Sequence, residues 1–158
     1  MKLDVALLAD AATVDASGKL NVLGIFHRIR GPRFPLRHGR VALVLRLQPE
    51  EGDEGKLAVA IQLLGPDGDQ VLRLNGEVEG RPGTAPERVR IPQVLNLDGV
   101  VFPAPGQYRF VISVDEEEVG ELPILVEEGT GRKGRSGPSG GSPTPVIVPP
   151  GSEGGVQA

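Results

Sequence analysis

One stretch of strict alternation limits what this chain can fold into. Between Gly106 and Asp115, the residues Tyr108, Phe110, Ile112 and Val114 fall at every second position, with Arg109, Ser113 and Asp115 between or after them. Successive side chains of an extended strand point to opposite faces, so this spacing describes a strand with one face buried and one face wet. An acidic turn follows, and Val119, Leu122, Ile124 and Val126 supply a returning strand. Pro123 has no N–H to give to a ladder, which places that returning strand at a sheet edge.

The same grammar recurs along the chain. Lys2 to Ala9 reads as a first strand, and Asp10 to Gly18 as a polar connection turning at Ser17-Gly18. Lys19 to Ile29 is apolar on both sides, which predicts a central strand, with Gly24 marking a bulge or a close backbone approach. Pro32 and Pro35 exclude regular structure between Arg30 and Gly39. Arg40 to Gln48 alternates well, and an acidic loop from Pro49 to Gly55 leads into Lys56 to Leu64. The turn Gly65-Pro66-Asp67-Gly68-Asp69 then joins that strand to Gln70–Glu79 as a hairpin. After a loop from Gly80 to Pro86, Val89 to Leu97 forms another strand, and Asp98 to Gly106 is an unusually apolar connection. About eight short strands with no helical stretch predict an all-β fold: an antiparallel β-sandwich, immunoglobulin-like or jelly-roll-like, over residues 1–126. Gly106-Gln107-Tyr108 at the start of a strand resembles the tyrosine corner of immunoglobulin-like sandwiches, where a Tyr hydroxyl bonds a nearby loop backbone.

From Glu127 onward Gly, Ser and Pro dominate, so residues 127–158 are expected to form a disordered C-terminal tail. Inside it, Pro145-Val146-Ile147-Val148-Pro149-Pro150 is an apolar island. It reads either as an extended linker remnant or as a short strand that adds to an exposed edge of this or another molecule. The formal net charge of −4, from 17 Lys and Arg against 21 Asp and Glu, argues against general nucleic-acid binding, which needs a basic surface. There is no tryptophan and only one Tyr and four Phe, so a stacking platform for sugars or bases has little to be built from. With no cysteine, and with an N-terminal apolar run of only Val5 to Ala9, the expectation is a cytoplasmic protein with no membrane partner.

A longer set of residues points to relatives. The run Leu95-Asn96-Leu97-Asp98-Gly99-Val100-Val101-Phe102-Pro103-Ala104-Pro105-Gly106, continuing through Tyr108, Phe110 and Val114-Asp115, resembles a family of uncharacterised bacterial domains. Leu8-Ala9-Asp10-Ala11-Ala12 and Gly18-Lys19-Leu20-Asn21-Val22-Leu23-Gly24-Ile25-Phe26 match the same family. The resemblance spans about residues 3 to 126 and implies a bacterial, cytoplasmic β-sandwich of unknown function, with no catalytic residue or ligand to transfer. His27 departs from it, standing where an acidic residue is expected after the phenylalanine.

Chemistry-bearing residues are sparse. The only histidines are His27 and His38, and no nucleophile elbow, phosphate-cradling loop or zinc spacing accompanies them. The expectation is therefore a protein that is not an enzyme and carries no cofactor. If consecutive strands reverse, one end of the sandwich collects Asp10, Asp15, the loop Glu50, Glu51, Asp53, Glu54 and the turn Asp115, Glu116, Glu117, Glu118. The other end receives Arg30, Arg33, Arg37, His38 and Arg40. Glu50, Glu51, Asp53, Asp115 and Glu117 are candidate calcium ligands, since hard cations take carboxylate oxygens from neighbouring loops. The candidate partner-binding residues are Val101 and Phe102, the basic Arg30, Arg33 and Arg37, and the tail's Val146, Ile147 and Val148. Phe102 either anchors a partner or folds back to plug the end of the sandwich. The function expected is a non-enzymatic protein-interaction or scaffold module, its partner a protein, self or other; the alternative is a ligand-binding sandwich that uses the acidic loops, with calcium as the candidate ligand.

Overall fold

The structure is a computed structural model, and it describes residues 1–80 and 89–129. The tail from residue 130, with Val146, Ile147 and Val148, and most of the Gly80 to Pro86 loop lie outside the described residues. Eleven strands are described: β1 (Lys2–Val14), β2 (Leu20–Phe26), β3 (Arg28–Gly31), β4 (Leu36–Arg37), β5 (Arg40–Gln48), β6 (Gly55–Leu64), β7 (Gln70–Gly80), β8 (Ile91–Asp98), β9 (Val101–Phe102), β10 (Gly106–Val114) and β11 (Glu117–Glu128). Apart from the short β3, β4 and β9, these are the eight strands the periodicity predicts. One sheet has the order β2-β1-β5-β8, a second has β3-β11-β10-β6-β7, and β4 and β9 make a two-stranded ribbon. Every pairing is antiparallel except that of β3 with β11, so the molecule is an antiparallel β-sandwich.

Alternation decides which residues meet between the sheets. Leu8, Val41, Leu43, Leu45 and Leu97 face inward from the first sheet, and Ile61, Leu63, Tyr108, Phe110, Ile112, Ile124 and Val126 answer from the second. Each large side chain removed from water this way contributes roughly 1.5–3 kcal/mol before chain entropy is counted. Leu47, Leu57, Val78 and Val114 extend the core toward the end where the β5–β6 loop lies.

Regular structure was expected to be absent between Arg30 and Gly39, yet β3 ends and β4 lies within that stretch, and three further differences from the sequence reading each have a physical reason. β1 runs to Val14 because Ala12 and Thr13, small and polar in sequence, pair with Val22 and Asn21 of β2. β11 runs to Glu128, beyond the expected boundary at residue 126, because β3 lies alongside it and Glu127 forms ion pairs with Arg28 and Arg30. Lys19 to Ile29 is not a central strand: β2 is the outer strand of its sheet, and after His27 the chain crosses to the second sheet as β3. The edge placement read from Pro123 does not hold, since β11 lies between β3 and β10; the proline is tolerated because β3 pairs only with the far end of β11. The Leu125 N–H donates to the His27 carbonyl, so the nitrogen of Pro123, two residues earlier, points the same way at a position where β3 has no pairing residue.

Candidate interaction surface

Tyr108 closes one end of the sandwich. Its hydroxyl donates to the Ala104 carbonyl at 2.7 Å and accepts from the Ala104 N–H at 3.2 Å, which is the tyrosine-corner arrangement read from Gly106-Gln107-Tyr108. Phe102 meets the Tyr108 ring edge to face, with centroids 5.1 Å apart, and is 1% exposed. Phe102 therefore plugs the end and does not anchor a partner; pairing of Leu36 with Phe102 and Arg37 with Val101 turns its ring inward and leaves Val101 outside.

The charged residues fall into two poles, with one correction. Lys2 pairs with Gln48, and Asp115 donates its N–H to Ala58, so the loop Glu50 to Glu54 and the turn Asp115 to Glu118 share one end. Asp15 sits at the opposite end because β2 and β5 both run antiparallel to β1 and so share one direction, and Asp10 lies between the ends, borders a depression with Arg28, Arg30 and His38, and does not join the acidic group. At the acidic pole the Met1 ammonium contacts Asp53 Oδ2 at 2.6 Å and Glu50 Oε2 at 3.0 Å. Asp53 also accepts from the Glu50 N–H. Burial works against both charges, yet these hydrogen bonds outweigh it: the Met1 ammonium is held above its ordinary pKa and the Asp53 carboxyl below its own. Asp115 accepts from the Ala58 N–H, Glu51 is exposed, and Glu117 is exposed at the start of β11. Among the described residues no group of three or more His, Asp or Glu is placed to hold a metal ion.

At the basic pole, Arg30 pairs with Glu127 at 3.0 Å, Arg33 is exposed, and Arg37 lays its guanidinium across Gly99, where a Cβ would collide with it. His38 is tilted against Phe26 with ring centroids 6.0 Å apart, while exposed His27 acts through its carbonyl. The position where relatives are expected to carry an acid thus contributes its backbone here. Between the sheets, Leu45, Leu47, Ile61, Leu74 and Val78 line a cavity of about 80 Å³, small beside the ~300 Å³ at which ligand pockets begin.

The largest exposed apolar side chains lie where the sequence reading placed none. Leu23 is 72% exposed and Ile25 65% exposed, both on the outer face of β2. Their cross-strand partners on β1 are exposed Ala11 and buried Ala9, and along the same face Leu7 and Val94 are half-buried while Val44 is buried. Arg46 with Asp4 and Arg40 with Asp98 form ion pairs at its borders. An apolar patch with a polar rim is what an interaction site presents.

The open edge of β2 is equally unguarded. Proteins blunt free edges with charge or proline. Pro92 does so on β8, Arg73, Glu77 and Glu79 on β7, and Arg28 and Arg30 on β3, whereas Leu20–Phe26 carries neither. Its one irregularity is Gly24, at φ +69°, where the Asp10 carboxylate occupies the space a Cβ would fill. Apolar residues on both faces gave no signal of this in the sequence, because they describe a buried central strand and an unguarded edge strand equally well.

No curated protein matches the chain. A crystal structure of an immunoglobulin-like protein (PA1606) from Pseudomonas aeruginosa is similar at 11% identity and a TM-score of 0.39, covering 80% of this chain and 95% of that one. The model of the family of unknown function DUF6941 matches residues 4–127, most of the sandwich and little else, and the chain belongs to that family.

Proposed function

We propose that this domain is a non-enzymatic protein-interaction module that takes an extended protein segment along β2. One observation carries the reading: among the described outer strands of the two main sheets, β2 is the only one free of charge and proline, and it displays Leu23 and Ile25 to solvent. Main-chain groups along such an edge supply affinity, and the flanking side chains supply selectivity. A photo-crosslinking residue at position 23, compared with one at the exposed Arg109 on the far face of the other sheet, tests it. Defined protein adducts from position 23 alone are expected; equal labelling from both positions, or none, would overturn the reading.

The acidic-loop alternative has less to stand on. Glu50 and Asp53 already face the Met1 ammonium, and Asp115 already accepts a backbone hydrogen bond. Melting curves in calcium and in chelator are expected to superimpose, and a rise of several degrees in calcium would restore that alternative.

A further inference from the structure

On the side of the sandwich away from β2, two outer strands face each other without pairing. We propose that the seam between β7 and β8 binds an aliphatic carboxylate, its chain lying between the sheets toward Gly76 and its head group at Arg37. This site is separate from the β2 edge and from the acidic loops.

The seam follows from the pairing. β8 ends the first sheet and β7 ends the second, and among the described residues the two share no ladder. Alternation turns Leu72, Leu74 and Gly76 of β7 inward, opposite Leu63, Ile61 and Val59 of β6, and turns Leu95 and Leu97 of β8 inward beside Leu43 and Val41. Leu72, Leu74 and Leu95 are nonetheless only half-buried, so part of the inner face has no protein against it. Gly76 supplies the reason. It is an inward position with no side chain, a Cβ there would meet no atom within 4 Å, and its backbone does not lie in the left-handed region that calls for glycine.

The space has the size and lining of a ligand site. Val71, Leu72, Leu74, Leu97, Val100 and Val101 line a groove of about 440 Å³, inside the range of roughly 300–1,000 Å³ found for ligand pockets. Leu74 also lines the cavity of about 80 Å³ at Gly76, so the groove leads into it. From Val71 to Gly76 the strand advances about 17 Å, a span that takes a decanoate chain.

Charge sets the head group and its direction. Arg37 lies across Gly99, one of the groove's own residues, and among the described residues its guanidinium forms no ion pair. Arg40 stands at the same end but is held by Asp98. At the other end Glu77 borders the cavity and Glu79 follows on the same strand. A carboxylate is therefore attracted at Arg37 and repelled near Gly76. The edges also select against a peptide: Arg73, Glu77 and Glu79 on β7 and Pro92 on β8 discourage an added strand. An alkyl chain has no amides to pair and needs none.

Calorimetric titration of the full chain with octanoate, decanoate and decanol, at sub-micellar concentrations, tests this. Decanoate is expected to bind about tenfold or more tighter than octanoate, at about fourfold for each added methylene. Arg37→Gln is expected to weaken decanoate about fivefold or more while leaving decanol unchanged. Gly76→Leu fills the open space, so its melting temperature is expected to match or exceed the parent's while its decanoate affinity falls to that of octanoate. Equal affinities of octanoate and decanoate in the parent, no detectable binding, or decanoate binding that survives both substitutions overturns the proposal. So does decanol binding as tightly as decanoate, or a Gly76→Leu chain that melts well below the parent, which shows the space to be filled already. None of these outcomes bears on adducts from position 23, so the two readings fail separately.

Discussion

Tyr108 and Phe102 show how much can depend on one hydroxyl and one ring. The Tyr108 hydroxyl satisfies both polar groups of Ala104 in a part-buried corner, so Tyr108→Phe strands a donor and an acceptor and is expected to cost about 1–2 kcal/mol in a denaturant titration. Phe102→Ala empties space against the Tyr108 ring and is expected to cost about 3–5 kcal/mol; unchanged stability would return Phe102 to the surface. The corner was legible because Gly106-Gln107-Tyr108 sits where alternation begins. The direction of Phe102 was not, because Pro103 and Pro105 break the alternation that would have assigned it a face.

The hairpin of β1 and β2 carries the misreading of the sequence at the level of elements. Period-two patterning located β2 but said nothing of its neighbours, and neighbours decide whether Leu23 and Ile25 meet protein or water. Gly24 was flagged as a close approach, and the Asp10 carboxylate is what approaches. Gly24→Ala is expected to destabilise by about 1–2 kcal/mol, since an L-residue there adopts the left-handed region. Adding Asp10→Ala recovers only the steric part of that loss, leaving the backbone part visible in the double variant's melting temperature. Leu23→Lys, by contrast, is expected to leave stability within about 0.5 kcal/mol while removing position-dependent adducts made from a probe at Ile25.

Across the whole molecule, the polar ends make stability depend on pH at the acidic pole. Asp53 titrates below its ordinary value, so its contribution is complete above the unfolded pKa near ~4 and fades as pH falls through the folded one. The Met1 ammonium titrates above its ordinary value, so its contribution is complete below about pH 8 and fades as pH rises through the folded pKa. Asp53→Asn is expected to cost about 1 kcal/mol, partly screened because Glu50 is exposed, with the deficit widest between about pH 5 and 8 in a melting series and narrowing outside it. The eight long strands and the two-layer core were readable because they depend on alternation within a segment. Which loops share a pole was not, because the chain crosses through β3 and β4 between β2 and β5, which then run in the same direction and leave Asp15 at the other end. The order β3-β11-β10-β6-β7 has a consequence in time. The last two strands of the domain occupy the middle of the second sheet, so β3 has no neighbour there until β11 is present through Glu128, and until β10 arrives the β6–β7 hairpin stands alone. An N-terminal portion holds only a two-stranded hairpin of that sheet, which is marginal by itself, and refolding is expected on the millisecond-to-second scale of folds dominated by non-local pairing.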